Sequence, residues 1–217
     1  MNLTLLGAPG AGKGTQANVL AIHYKIPHIS TGDIFRRHLR EETPLGQKAQ
    51  EYMVQGKLVP DDITEAMVDD RLALSDAALG FVLDGFPRNV NQGKALDGML
   101  AARGLFLDGV IQIAAPYALI VERLVGRRIC PACGATYHIR FDPPQAAGIC
   151  NVCGTNLVQR PDDRLETVET RLSVYREETA PLIAFYQVRG ILLEIDGTRS
   201  VEDVSQSIIQ QLGARHG

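Results

Sequence analysis

Long apolar runs are missing from this sequence, and so is any block of like charge. No apolar stretch approaches the ~20 residues that a membrane span needs, although 45% of the 217 residues are hydrophobic. With 22% charged residues and a net charge of −3, this is the composition of an ordinary globular chain with ample core material. The near-neutral total argues against nucleic acid as the main partner. No cationic segment followed by an apolar stretch and a cleavage site opens the chain, so a cytoplasmic protein is expected. Cysteine is scarce as well. The four present form two C-x-x-C pairs, Cys130 with Cys133 and Cys150 with Cys153, separated by sixteen residues. In a reducing compartment that is metal spacing, and four thiolates predict a closed, structural zinc site rather than the competing reading of two disulfides. Lysine is nearly as rare, at 5 residues against 17 arginines. The planar fork of arginine matches phosphate bidentately, so the skew points to several phosphate groups handled at once.

What the chain has in abundance near its start is glycine. Asn2 to Thr15 reads NLTLLGAPGAGKGT, an apolar strand, a glycine-rich loop ending in lysine, and then a helix expected over Gln16 to Tyr24. Such a loop turns successive N–H groups inward, where a phosphate sits against the positive helix end. From Gly7 to Lys13 the spacing fits G-x-x-x-x-G-K, with Gly14 next and the hydroxyl deferred to Thr15. A bare glycine turn is the alternative, but strand, helix and lysine together supply the context that phosphate binding demands.

Further along, Ile26–Ile29 reads as a second strand and Ser30-x-x-Asp33 as a helix start. Residues 30–59 then form a small helical insertion bearing Arg36, Arg37 and Arg40. Asp61 is expected to cap a helix running to Leu74. Phe81–Asp84 is a buried strand that delivers Asp84 to its carboxyl end, the place for a carboxylate holding magnesium through water. Gly85-Phe86-Pro87-Arg88 follows, projecting Arg88 into the crevice. A helix over Asn89–Arg103, a strand over Gly109–Ile113 and a helix from Pro116 come next, the last expected to carry Arg123 and Arg127 on one face. From Ile129 to Gln159 the pattern is irregular. Arg160–Arg164 closes it, a long helix over Leu165–Val188 carries Arg171, and Ile191–Ile195 and Val201–Leu212 end the chain as strand and helix. The sum is an α/β fold, a five-stranded parallel sheet of P-loop type flanked by helices and interrupted by two insertions able to close as lids. His23, His28, His38, His138 and His216 sit in no motif and read as structural or surface residues.

GAPGAGKGT, STGDIFR, LDGFPRN, VGRR, the two C-x-x-C pairs and RPDDR, in this order and spacing, resemble the adenylate kinase family of the long, zinc-lid type over the whole chain. That resemblance implies reversible phosphoryl transfer from MgATP to AMP, giving two ADP, in a monomer with ATP, AMP and ADP as its small-molecule partners and neither nucleic acid nor membrane. It implies a core of residues 1–29, 60–125 and 165–217, an NMP-binding insertion at 30–59 and a zinc-binding lid at 126–164. It assigns Gly10, Ala11, Gly12, Lys13, Gly14 and Thr15 to the ATP phosphates, with Thr136, Tyr137 and Arg199 at the adenine end of ATP. It places Thr31, Arg36, Lys57, Leu58, Val59, Gly85, Phe86, Pro87, Arg88 and Gln92 around AMP, and Arg123, Arg127, Arg160 and Arg171 at the transferring phosphates. Lys13, Arg88, Arg123, Arg160, Arg171 and Asp84 form the implied catalytic set, with Mg2+ on ATP and zinc on the cysteines.

Asn89 after Arg88 is shared with kinases of UMP and CMP, whereas Thr31 with Gln92 is the pair of adenine-selecting relatives, since one amide both donates to and accepts from an adenine edge. AMP is therefore the expected acceptor, with UMP/CMP as the alternative. A zinc-ribbon nucleic-acid or regulatory module is the reading from another class. It has little support, because only Arg140 and no lysine lies between Cys130 and Cys153.

Overall fold

The computed structural model describes residues 1–216. Five parallel strands make the sheet: β1 (Asn2–Leu6), β2 (His28–Ser30), β3 (Phe81–Asp84), β4 (Gly109–Ala114) and, after two strands outside this sheet, β7 (Leu192–Asp196). Their order is β2-β3-β1-β4-β7. Period-two alternation splits their side chains between two faces. Leu3, Leu5, Val82, Ile111 and Ile113 pack with Leu20, Val204, Ile208 and Leu212 on one side. Leu6, Phe81, Leu83 and Val110 pack with Phe86, Leu96, Leu182 and Tyr186 on the other. Strand order reverses around β1, so the crevice beyond its carboxyl end is where such a sheet receives ligands.

The helices are α1 (Lys13–Tyr24), α2 (Thr31–Arg40), α3 (Pro44–Met53), α4 (Asp61–Leu72), α5 (Val90–Ala101), α6 (Tyr117–Val125), α7 (Leu165–Val174), α8 (Pro181–Gln187) and α9 (Val201–His216). Ser30 and Thr43 cap α2 and α3 through their hydroxyls, which accept from the N–H groups of Asp33 and Gly46 at 3.2 and 3.1 Å. A small antiparallel hairpin, β5 (Arg127–Ile129) and β6 (Thr136–His138), builds the cysteine-bearing segment. No described helix is long and apolar enough to cross a membrane.

Several element boundaries differ from expectation, each for a local reason. Helix α1 begins at Lys13, because Gly12 already caps it at φ 108° and its carbonyl takes the N–H of Gln16. Asp61 does not cap α4. Pro60 holds that position, and the Asp61 carboxylate turns to Asn89 and Gln92 instead. Helix α4 stops at Leu72, and a 3-10 turn over Ser75–Leu79 follows. Arg127 and Arg128 are not on the helix with Arg123: α6 ends at Val125, where Gly126 passes against the His138 ring and the chain turns into β5. The long helix breaks into α7 and α8 around a π turn at Tyr175–Thr179. Pro181 has no N–H to continue the ladder, and the widened turn lets Thr179 Oγ1 donate to the Arg88 carbonyl at 2.7 Å.

Candidate active site

One cavity of about 1360 Å³ lies beyond the carboxyl ends of the strands. Its floor is the loop between β1 and α1. Gly12 adopts a left-handed φ that a side chain would resist, and no acidic residue in the first turn of α1 competes for the N–H groups exposed there. Lys13 reaches back so that its ammonium donates to the carbonyls of Gly7 and Ala8 at 2.7 and 3.0 Å. Burial pulls its pKa down to about 8, with Arg88, Arg171 and Arg127 adding repulsion against the partial relief from Asp84. The side chain keeps some accessible area, but its charged end is enclosed by the cavity walls.

Asp84 stands at the end of β3, where a Cβ on Gly14 would come within 3.3 Å of its Oδ2. A side chain at position 14 would press on this carboxylate, which the glycine avoids. Burial works against the Asp84 carboxylate, yet His28, Lys13 and Arg88 together hold its pKa below the ordinary value. His28 Nε2 lies 3.6 Å from Asp84 Oδ2, too far for a hydrogen bond, while its Nδ1 meets Asn18 Oδ1 at 2.8 Å. Of the histidines read as structural or surface residues, His28 and His138 line the cavity. His138 is a joint: its Nδ1 accepts from the N–H groups of Arg140 and Phe141, so Nε2 carries the proton and donates to the Glu122 carbonyl. The side chain of His216 lies outside the described residues.

Arginines converge from separate elements. Arg88 is tied by Nε to the Gly85 carbonyl at 2.7 Å, and burial followed by repulsion from Arg171 lowers its pKa to about 10. Arg160 is pulled further, to about 9, by burial and then by Arg36 and Arg127. Its Nε is buried with no hydrogen-bond partner. Arg123 donates to the carbonyls of Ala11 and Gly197 at 3.3 and 3.0 Å. Arg127 and Arg171 are held by Asp163, whose carboxylate is fully buried: Arg127 grips it with two bonds of 2.8 and 2.6 Å, and Arg171 adds one of 3.1 Å. Burial opposes the charge of Arg127, but Asp163 outweighs it and raises the pKa. These guanidiniums remain cations at neutral pH, and an incoming anion would offset the repulsion that Arg171 exerts on Arg88 and that Arg36 and Arg127 exert on Arg160.

The cavity wall includes Gly10, Ala11, Gly12, Lys13, Gly14, Thr15, Thr31, Arg36, Lys57, Leu58, Val59, Asp84, Gly85, Pro87, Arg88, Gln92, Arg123, Arg127, Thr136, Tyr137, Arg160, Arg171 and Arg199. Phe86 is the exception among the expected residues. Its side chain is buried in the core, and its carbonyl accepts from Thr4 Oγ1 at 2.7 Å. Asp61, Asn89 and Asp163 carry much of the local order but were not expected to do so. In the sequence Asp163 is marked only as part of RPDDR, and Asp61 has the position of a helix cap.

The cysteines lie outside this wall, although Gly134, Ala135 and Thr136 on the same hairpin belong to it. All four Sγ atoms fall within 4.8 Å of one another. Cys130 and Cys153 approach to 3.3 Å, and Cys133 and Cys150 to 3.5 Å, far beyond the ~2.05 Å of a disulfide but near the edge of a tetrahedron with ~2.3 Å metal–sulfur bonds. Gly134 and Gly154 each donate an N–H to the carbonyl of the first cysteine of their pair, closing two equivalent knuckles. The hydroxyl of Tyr137 bonds to Cys150 Sγ and chiefly accounts for a thiol pKa pulled down to about 6. The donor set fits a closed four-thiolate metal site.

A phosphate loop at the reversal point of a parallel sheet, facing a carboxylate and a ring of arginines, defines a P-loop nucleotide-binding phosphotransferase. Comparison with known proteins narrows this. The adenylate kinase family model matches residues 5–191. The adenylate kinase of Carboxydothermus hydrogenoformans is 55% identical over 208 residues, covering 96% of this chain and 97% of the relative. Those of Symbiobacterium thermophilum and Clostridioides difficile are 55% and 51% identical over 214 residues each, covering 99% of both chains in either case. The chain belongs to the adenylate kinase family, and is thus a nucleoside monophosphate kinase.

Proposed function

We infer that the chain catalyses reversible transfer of a phosphoryl group from MgATP to AMP, giving two ADP, with both nucleotides seated at once in the single cavity. The observation that carries this reading is the convergence of Lys13, Arg88, Arg123, Arg127, Arg160 and Arg171 on one cavity in a chain of net charge −3. The buried, unpartnered Nε of Arg160 supports it too. The cavity also exceeds the ~300–1,000 Å³ of an ordinary single-ligand pocket. In this reading the loop from Gly10 to Thr15 cradles the ATP phosphates and Lys13 moves from the carbonyls of Gly7 and Ala8 onto them. Residues 30–59, with Thr31, Arg36 and Lys57–Val59, enclose AMP against Gly85–Arg88 and Gln92. Residues 126–164 bring Thr136, Tyr137 and Arg127 over ATP, with Arg199 on the core side.

Asp84 would hold Mg2+ through water, and the ion would supply charge neutralisation at the transferring group. The protein needs no general base, because the second pKa of a phosphate monoester is about 6 and the attacking oxygen is already largely ionised at neutral pH. What the arginines provide is placement and compensation for charge that spreads over the oxygens as the phosphoryl group moves. Closure by the two insertions keeps water from intercepting that group. Zinc on Cys130, Cys133, Cys150 and Cys153 is structural in this account, since four thiolates leave no open position. Each chain carries a full set of cavity residues, which suits a monomer, and cysteines gathered as a four-thiolate metal cluster suit a reducing, cytoplasmic site of action.

A coupled assay of ADP production with AMP, CMP, UMP and GMP as separate acceptors tests the reading. AMP should give the highest kcat/KM; an equal or higher value with UMP or CMP would overturn the assignment of the acceptor.

A further inference from the structure

Behind the acceptor side of the cavity lies a polar network that closes on itself. The Asp61 carboxylate receives Asn89 Nδ2 at 3.0 Å on each oxygen and Gln92 Nε2 at 2.6 Å on Oδ1. An ionised carboxylate only accepts, so both amides must turn their NH2 groups toward it. Asn89 Oδ1 is thereby free to accept from the Gln92 N–H at 2.8 Å, and Gln92 Oε1 accepts from the Arg88 N–H at 2.8 Å. A backbone N–H only donates. Gln92 is thus held between an obligate acceptor and an obligate donor, and reversing its amide would set like poles against each other at both ends. The orientation of a glutamine amide is ordinarily inferred from its neighbours, and here the neighbours leave one answer.

This fixed amide belongs to the cavity wall while the residue as a whole is only 1% exposed. After its two internal bonds it retains one N–H and one oxygen lone pair, at a polarity it cannot exchange. Adenine offers an amino donor beside a ring-nitrogen acceptor, whereas guanine and uracil put a carbonyl acceptor where adenine has its amino group. A freely turning amide would serve either kind of edge. A pinned one serves one kind and leaves the other with donor facing donor, or acceptor facing acceptor.

We propose that Asp61 is a positioning residue for base selection: by fixing the polarity of the Gln92 amide, it makes the acceptor site favour an adenine edge over a guanine or uracil edge. The inference rests on the reading of Gln92 as a neighbour of the acceptor base and deepens it. Asp61 does this from outside the cavity wall, touching no substrate.

The test compares kcat/KM for AMP, GMP and UMP in wild type, Asp61→Ala, Asp61→Asn, Gln92→Ala and the Asp61→Ala/Gln92→Ala double variant, with the unfolding temperature of each. Loss of a hydrogen bond to a charged partner should reduce the AMP:GMP and AMP:UMP ratios about 10-fold in Asp61→Ala, mainly through a higher KM for AMP with kcat little changed. Asp61→Asn keeps one oxygen for two amides and should lose less, about 3-fold on the same reasoning. In the Gln92→Ala background, replacing Asp61 should leave both ratios where they are, because the residue acts only through that amide. Equal losses for all three acceptors, or a further fall in the ratios without Gln92, would overturn the proposal. If Asp61→Ala does not fold, Asp61→Asn with and without Gln92 decides by the same criteria. A wild-type enzyme that does not prefer AMP would overturn the reading of the site and this inference with it; an AMP-selective enzyme whose ratios ignore Asp61 overturns the inference alone.

Discussion

Lys13 shows at the scale of one residue how function is held at the expense of stability. Its ammonium is enclosed with two carbonyls as partners, and burial lowers its pKa from 10.5 to about 8. Between those values the unfolded chain binds more protons than the folded one, so stability rises with pH across that window. Below about pH 8 the cost of the buried charge is present in full. Lys13→Met should therefore raise the unfolding temperature of the ligand-free protein at pH 7, by an advantage that shrinks as pH climbs from 8 to 10.5. The same change removes a contact to the transferring charge and should lower kcat by about 10²-fold or more. Thermal melts across this pH range and steady-state kinetics check both halves, and a variant destabilised at pH 7 would contradict the first. Arg88 makes a different point. Its Nε is spent on the Gly85 carbonyl, which aims the rest of the fork into the cavity. Arg88→Lys keeps the charge and loses that geometry, so kcat should fall more than AMP affinity does. If only the KM for AMP rises, Arg88 binds and does not assist transfer.

At the scale of elements, the parts legible in the sequence are those whose cause is local. The strand-loop-helix around Lys13, the Ser30 cap, the apolar run ending in Asp84 and the paired cysteines each follow from residues a few positions apart. What was not legible depends on residues distant in sequence. Helix α6 looks able to run on through Arg127, and only the His138 ring against Gly126 and the buried Asp163 carboxylate show why it stops and where Arg127 goes. Asp61 has the position of a helix cap, but Asn89 and Gln92, some thirty residues later, claim its side chain. Pro181 marks the break near Tyr175–Thr179 locally, but the bond of Thr179 to the Arg88 carbonyl joins residues far apart in sequence. The cysteine hairpin lies between these cases. Its spacing announces a metal, and its buried cluster is small, Cys130, Tyr137 and Cys150 with Ala135 and Leu157 against them. So small a core needs a staple, and about one zinc per chain is expected, bound through the four thiolates. Cys130→Ser should lower the unfolding temperature substantially while activity at low temperature survives. Metal analysis of protein purified without chelator checks this, and either an absence of zinc or a stable but inactive variant would contradict the structural role.

At the scale of the whole molecule, the carboxyl ends of the parallel strands and the turn after β7 meet at one end of the sheet, and residues from 30–59 and from 126–164 line the same cavity. The arginines come from seven places in the sequence, Arg36, Arg88, Arg123, Arg127, Arg160, Arg171 and Arg199, and meet only because the fold closes around them. Such an arrangement is suited to two anionic ligands held side by side with water kept out. Direct transfer between them can be measured at once. With ATP labelled in its γ-phosphate, the initial label should pass to AMP one for one, appear as the β-phosphate of new ADP, and stay in ATP when AMP is left out. Release of the label as inorganic phosphate at a comparable rate, or its retention on the protein as a covalent intermediate, would contradict the account.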